Sequence, residues 1–193
     1  MKLLILSCIG AYGAGSVNFS ILLFKMLGKD DPRNAFSGNP GVVNVYRQAG
    51  LSMAAVVWLL DMSRALAVAF IAIRLLPVAL VPWAGLGLIL GNRFPCFHGL
   101  HGGKGVSNYL GFTTIISPVA AGLSALGWLL TYAIWRTPFI ASFVMVFILA
   151  AGTIAACEYS LAAIAGVAAT AVLIYYSHKS NVLGLLQQKG GVG

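Results

Sequence analysis

Acidic side chains are nearly missing from this chain: Asp30, Asp31, Asp61 and Glu158 are its only four in 193 residues. Charged residues of both signs make up 8% of the sequence, against about 25% in soluble domains. So few charges exclude the soluble globular and disordered classes alike. Cysteine is scarce as well. Cys8, Cys96 and Cys157 form no CxxC pair and lie in apolar surroundings. That excludes a disulfide framework, and the three read as small buried hydrophobes. Alternating strands of about ten residues are missing, which excludes a transmembrane barrel. No internal repeat of the kind many transporters carry is visible. The GxxxxGK(S/T) spacing of a nucleotide-binding P-loop does not occur.

What is present is apolar: 60% of the residues are hydrophobic and the mean hydropathy is +0.92. The solvent is therefore a bilayer, and the continuous apolar runs require helices. About 20 residues are needed to cross its core of about 30 Å. The start, Met1-Lys2 and then Leu3 to Cys8, faintly resembles a lipoprotein signal. Its apolar core before Cys8 is too short, and the run continues to Phe24, so it reads as a retained first span. Spans are expected at 3–24, 51–73, 139–157 and 159–176, with a short one at 81–90. The run 109–135 is too long for one ordinary crossing and contains Ser117-Pro118.

Twelve lysines and arginines give a net charge of +8. They fall in the breaks, so they read as positive-inside topology and call for no nucleic-acid partner. The segments 25–50, 92–108, 136–138 and the tail 177–193 hold Lys25, Lys29, Arg33, Arg47, Arg93, Lys104, Arg136, Lys179 and Lys189. If all four are cytoplasmic, 109–135 crosses twice near Pro118. The expectation is an all-α polytopic membrane protein of about seven helices, some short, with its N-terminus outside and C-terminus cytoplasmic. It forms one membrane-embedded domain over 1–193. A six-helix alternative would place Arg136 and the tail outside, against the charge rule.

Two polar islands carry the chemistry. The first, 31–47, combines glycines with Ser37, Asn39 and Asn44 as neutral donors. Arg33 and Arg47 add forked guanidinium groups suited to phosphate. Its other reading is a Gly/Pro-rich loop with ordinary positive-inside arginines. The second, 91–108, leads through Gly102-Gly103-Lys104-Gly105 into a helix. That composition suits a phosphate cradle, where free N–H groups and the helix dipole meet an anion. Cys96, His98 and His101 lack an evident fourth ligand, so no metal is expected. Asp61 and Arg64 share a helix face. Either they form a self-neutralising pair, or Arg64 faces an anion that Asp61 helps orient. His178 and Asn181 end a helix and either close a site or meet the headgroups. Ser142 taken alone reads as a serine bonded back within its own helix.

Together these residues resemble the bacterial acyl-phosphate:glycerol-3-phosphate acyltransferase family (PlsY) over almost the whole chain. The matches run in order through Gly15-Ser16, Asp31-x-Arg33-Asn34, Ser37-Gly38-Asn39-x-Gly41, Asn44 and Arg47. They continue through Leu60-Asp61, Gly91, Pro95, Phe97, Gly99 and Gly102-Gly103-Lys104-Gly105-Val106. Ser117-Pro118, Ser142, His178 and Asn181 complete them. The chain is identified as a divergent member. Asn92 replaces a usual histidine, His101 a lysine, Val43 a threonine and Phe139 a serine. Arg64-Ala65 stands for Lys-Gly, and Asn18-Phe19-Ser20 for a Pro-x-Gly region.

The resemblance implies acyl transfer from acyl phosphate to the 1-hydroxyl of glycerol 3-phosphate, giving lysophosphatidic acid and phosphate. It implies a multi-pass protein of the bacterial cytoplasmic membrane, surrounded by lipid and needing no cofactor. Two charges 4 Å apart repel by about 1 kcal/mol in water and about 4 kcal/mol at an effective dielectric of 20. Two dianions multiply this about fourfold, so the site must be cationic. Arg33, Arg47, Arg64, Lys104 and a protonated His101 would supply the charge. Lys104, with the N–H groups of Gly102, Gly103 and Gly105, is assigned to the phosphate of the donor. Arg47, Ser37, Asn39 and Asn44 are assigned to glycerol 3-phosphate. Ser142, His178 and Asn181 complete the pocket, and the hydroxyl proton goes to a substrate phosphate or to His178. None of His98, His101 and His178 has an Asp five residues on, unlike the acyltransferases that use thioesters. Two rivals stay open: a catalytically impaired paralogue that only binds lipid or substrate, and a small anion transporter. The first predicts binding without phosphate release, the second flux across sealed vesicles.

Overall fold

The computed structural model describes residues 1–190, with side chains to Gln187. Of the basic tail, the Lys189 side chain and residues 191–193 lie outside the described part. All regular structure among the described residues is helical.

The first apolar run is two helices, α1 (Lys2–Ser16) and α2 (Phe19–Met26). Asn18 makes the break. Its backbone is extended and its Oδ1 accepts from the Ile21 N–H at 3.2 Å, capping α2. The hydropathy of 3–24 hides this because the run stays apolar across it. The pair is still 25 residues long, enough to cross a bilayer.

The next helix, α3 (Val42–Leu75), begins well before the expected start at 51. Gly50 takes a left-handed φ of 78°, a conformation that favours glycine, and bends the helix there. Asn44 and Arg47 therefore stand on a helical turn rather than in a loop. Leu51 onward forms the apolar shaft.

The short α4 (Val81–Arg93) lies against α1 almost backbone to backbone. A Cβ on Gly87 would strike the Cys8 carbonyl, one on Gly91 the Tyr12 carbonyl, and one on Gly15 the Leu88 carbonyl. Small residues let helices approach closely in lipid, where no hydrophobic force drives them together. Buried Ala65, Ala69 and Ala72 of α3 complete this packing with Leu88 and Phe112.

The long run after the second island is two helices, α5 (Val106–Ile116) and α6 (Pro118–Trp135), parted at Ser117 with Pro118 opening α6. Val106 and Leu110 line the same cavity as Ala125, Trp128 and Leu129, so α6 folds back along α5. Then come α7 (Pro138–Ala156), α8 (Leu161–Ser177) and α9 (Lys179–Gly190). Among the described residues four spans are long and apolar enough to cross a membrane: Lys2–Met26, Val42–Leu75, Pro118–Trp135 and Pro138–Ala156. The pair α8–α9, bent by 44°, makes a fifth if its two helices count as one span. The outer face stays greasy: Leu126, Leu130 and Ile134 are 52%, 56% and 69% exposed, as lipid contact demands. The cysteine expectation needs one correction. Cys157 is buried and Cys8 half-buried, but Cys96 lies exposed in the loop after α4.

Candidate active site

The broken helices converge on a cavity of about 420 Å³. Its lining is of two kinds: polar residues, among them Arg47, Lys104 and Asp61, and apolar residues, among them Trp58, Leu110, Trp128, Leu129 and Phe139.

The first island forms a folded loop that leads into α3. Asn44 is buried and braces that loop. Its Nδ2 donates to the Pro32 and Ala35 carbonyls at 2.9 and 3.2 Å, and its Oδ1 accepts from Ser37 N–H at 3.4 Å. Gln48 adds a bond to the Pro32 carbonyl at 2.9 Å. The bracing leaves Ser37, Asn39 and Arg47 on the cavity wall. Arg47 makes no hydrogen bond or ion pair among the described residues.

The second island is tied down by its neighbours. Gly102 N–H donates to the Arg93 carbonyl at 3.1 Å and Gly103 N–H to the Asn92 carbonyl at 2.9 Å. Tyr12 bonds the Phe94 carbonyl at 2.7 Å. The sequence assigns the two glycine N–H groups to an anion; the structure spends both on closing the loop. Gly105, with φ of 86°, then turns the chain into α5. Gly105, Val106 and Ser107 line the cavity at the start of α5, where first-turn N–H groups have no intrahelical partner. Lys104 donates to Asn181 Oδ1. Burial, with Arg93 and Arg47 nearby, lowers its pKa to about 8. Among the described residues no carboxylate pairs with it.

His178 caps α8 and is 3% exposed. Its Nδ1 lies 2.9 Å from the Ile174 carbonyl, which only an Nδ1–H can satisfy, so Nε2 remains as acceptor. The Phe143 ring packs edge-on at 5.4 Å and fixes the imidazole plane. Ser142 does both things the sequence allowed. Its Oγ bonds back to the Pro138 carbonyl at 2.9 Å, and it lines the cavity.

Thus Ser37, Asn39, Asn44, Arg47, Gly103, Lys104, Gly105, Ser142, His178 and Asn181 come together. Four expected residues do not line the cavity. Arg33 pairs with Asp31 at 2.6 Å and donates to the His98 and His101 carbonyls at 2.7 and 3.0 Å, riveting the two islands. That pairing holds the Asp31 carboxyl below its ordinary range. His101 is exposed, its ring turned to the Gly99 carbonyl at 2.6 Å. Gly102 is buried beneath the loop, where a Cβ would strike the Asn92 carbonyl. Arg64 lies inside the helix bundle, paired with Asp61 at 2.8 Å and bonded to Asn108 at 2.6 Å.

The sequence reading missed Asn108, Trp58 and Trp128 on the cavity wall and took Asn92 only as a replacement. Asn92 and Asn108 had a signal: two uncharged amides flanking a glycine-rich turn at the ends of apolar helices. The tryptophans had none, because tryptophan in an apolar helix is ordinary.

Residues 5–188 match the family model described as glycerol-3-phosphate acyltransferase. A glycerol-3-phosphate acyltransferase from Methylobacillus flagellatus is 36% identical over 180 residues, covering 92% of this chain and 91% of the relative. One from Pseudomonas aeruginosa is 38% identical over 135 residues, 69% of this chain and 71% of the relative. Among solved structures, the glycerol 3-phosphate form of the integral membrane glycerol 3-phosphate acyltransferase PlsY (YgiH) superposes with a TM-score of 0.88 at 30% identity. It covers 96% of this chain and 92% of that one. The lysophosphatidic acid form gives 0.85 at 29% identity, with the same coverage.

Proposed function

The chain belongs to the glycerol-3-phosphate acyltransferase family, and on that premise we propose that it acylates the 1-hydroxyl of glycerol 3-phosphate from an acyl phosphate. The carrying observation is the two-natured cavity, lined both by the cations Arg47 and Lys104 and by the apolar Trp58, Trp128 and Leu129. Such a cavity suits a substrate pair with phosphates at one end and an acyl chain at the other. The solved relatives support it: one is a glycerol 3-phosphate form and the other a lysophosphatidic acid form.

Lys104 and the N–H groups at the start of α5 would hold the donor phosphate. Arg47, Ser37 and Asn39 would hold glycerol 3-phosphate, while Asn44 keeps their loop in shape. The 1-hydroxyl oxygen attacks the acyl carbonyl carbon, and the carbon–oxygen bond to phosphate breaks with its electron pair leaving on phosphate. The hydroxyl proton goes to His178 Nε2 or to the departing phosphate. Ser142 and Asn181 complete the wall. Catalysis is then positioning plus charge neutralisation. An acyl phosphate already carries a good leaving group. No serine bonds a histidine among the described residues, which supports direct transfer over an acyl-enzyme.

The same reading places the whole chain as one domain in the bacterial cytoplasmic membrane. Seven helices cross it, counting short α4 and α5, with the N-terminus outside and the C-terminus in the cytoplasm. The basic islands and the tail support this orientation. Reporter fusions at the C-terminus should respond as cytoplasmic, and a periplasmic response would overturn the topology.

The deciding experiment is phosphate release from palmitoyl phosphate plus glycerol 3-phosphate by detergent-purified protein, with Lys104→Ala beside it. Release needing both substrates, and falling at least about 100-fold in the variant, is expected. No release from folded protein would favour the binding-only paralogue, and unchanged turnover in the variant would remove Lys104 from the reaction.

A further inference from the structure

Building on the acyltransferase reading, we propose that Arg64 is a positioning residue that holds the Lys104 loop through Asn108 and Asn92, rather than a substrate ligand. Arg64 sits on the shaft of α3 with its side chain 7% exposed. Its Nη2 donates to Asp61 Oδ1 at 2.8 Å and Asn108 Oδ1 at 2.6 Å. Its Nη1 donates to the Val17 carbonyl and lies 3.4 Å from the Ala14 carbonyl. One guanidinium therefore closes the end of α1, neutralises Asp61 and orients Asn108.

The contacts continue toward the loop. Asn108 Nδ2 donates to Asn92 Oδ1 at 3.2 Å. The Asn92 carbonyl accepts from Gly103 N–H at 2.9 Å. The Asn92 side chain also packs on Gly103, where a Cβ would come within 2.9 Å of Nδ2. Lys104 is the next residue. Asn92 and Asn108 are 3% and 1% exposed. Arg64 Nε has no partner among the described residues, but the links through Asn108 and Asn92 to Gly103 are all hydrogen-bonded, and a buried network bonded in this way favours one arrangement.

The fork is essential to this role. Guanidinium offers five donors in one plane, while an ammonium is a compact charge that cannot serve Asp61, Asn108 and Val17 together in the same geometry. Arg64 and Asn92 are thereby joined in one network through Asn108.

The test uses the full chain in detergent and measures initial rates while each substrate is varied. Arg64→Lys and Asn108→Ala should each lower kcat by about tenfold or more, with both KM values within about twofold. The double variant should be no slower than the worse single, because both break the same line of contacts. Multiplicative losses, or a rise in one KM at unchanged kcat, would show direct substrate contact and overturn the proposal. Hydrogen exchange gives a readout independent of turnover. Gly102 and Gly103 amides should exchange faster in Arg64→Lys while α6 and α7 exchange as in the parent. Unchanged exchange there in a folded variant overturns the proposal as well. If Arg64→Lys does not fold, Asn108→Ala carries both readouts. If the parent protein itself releases no phosphate, the acyltransferase reading fails, and exchange alone decides the positioning network.

Discussion

Arg64 and Arg33 on one side, and Arg47 and Lys104 on the other, are the same kind of charge put to opposite uses. The first two are spent inside the protein. Arg64 is shared among Asp61, Asn108 and the end of α1, and Arg33 among Asp31 and two loop carbonyls. The second two meet no carboxylate among the described residues, and both line the cavity. In a chain with four acids, a cation without a carboxylate is the common case, so charge alone does not mark a site. What marks it is a cation that lines the cavity beside neutral groups such as Ser37 and Asn39, where the lining carboxylate, Asp61, is already paired with Arg64.

That contrast can be broken in order of expected effect. Arg47→Ala should lower kcat/KM by at least about 100-fold while leaving the melting temperature of the detergent-solubilised protein in place. A melting shift with little loss of rate would assign Arg47 to structure. Arg64→Met should do the reverse at the level of stability, because it leaves Asp61 buried and unpaired. The loss is about 3–5 kcal/mol, read as a lower midpoint of thermal unfolding. Next comes pH. The Lys104 pKa is lowered to about 8 by burial and by Arg93 and Arg47, so the free enzyme sheds that proton as pH rises through this region. kcat/KM should therefore fall above about pH 8, and Lys104→Arg should move the falling limb upward. A limb that stays in place in that variant would belong to another group. Smallest is Arg33→Gln, since a partly exposed pair contributes about 1 kcal/mol or less. Rates should change by less than about threefold, and a larger loss would put Arg33 in contact with substrate.

Much of this site was legible because its chemistry needs residue types that a membrane helix otherwise avoids. Lys104 among glycines, Arg47 beside Ser37 and Asn39, and His178 with Asn181 stand out against an apolar background, and the cavity gathers all of them. The breaks at Ser117-Pro118 and 136–138 were legible too, because proline ends a helix wherever its missing N–H and ring fall. The break at Asn18 and the early start of α3 were not. Both depend on one residue's backbone, an extended Asn18 and a left-handed Gly50, within runs whose hydropathy does not change. That Arg33, Arg64 and His101 lie off the cavity was not legible for a related reason, although the Asp61–Arg64 pair was one of the two sequence readings. Sequence gives their charge but not the carbonyls and carboxylates that satisfy it.

The continuous apolar runs determined the helical class, and composition determined the need for lipid, because no other surface accepts this many apolar residues with so few charges. It also determined which side chains were candidates for binding an anion. The tertiary structure alone decided which of them face one cavity, which glycine N–H groups close a loop, and which glycines let α1 and α4 touch. Those outcomes rest on distances of a few ångströms between helices far apart in sequence. Once two helices meet, a single hydrogen bond settles whether a buried charge is spent on the fold or left for a ligand.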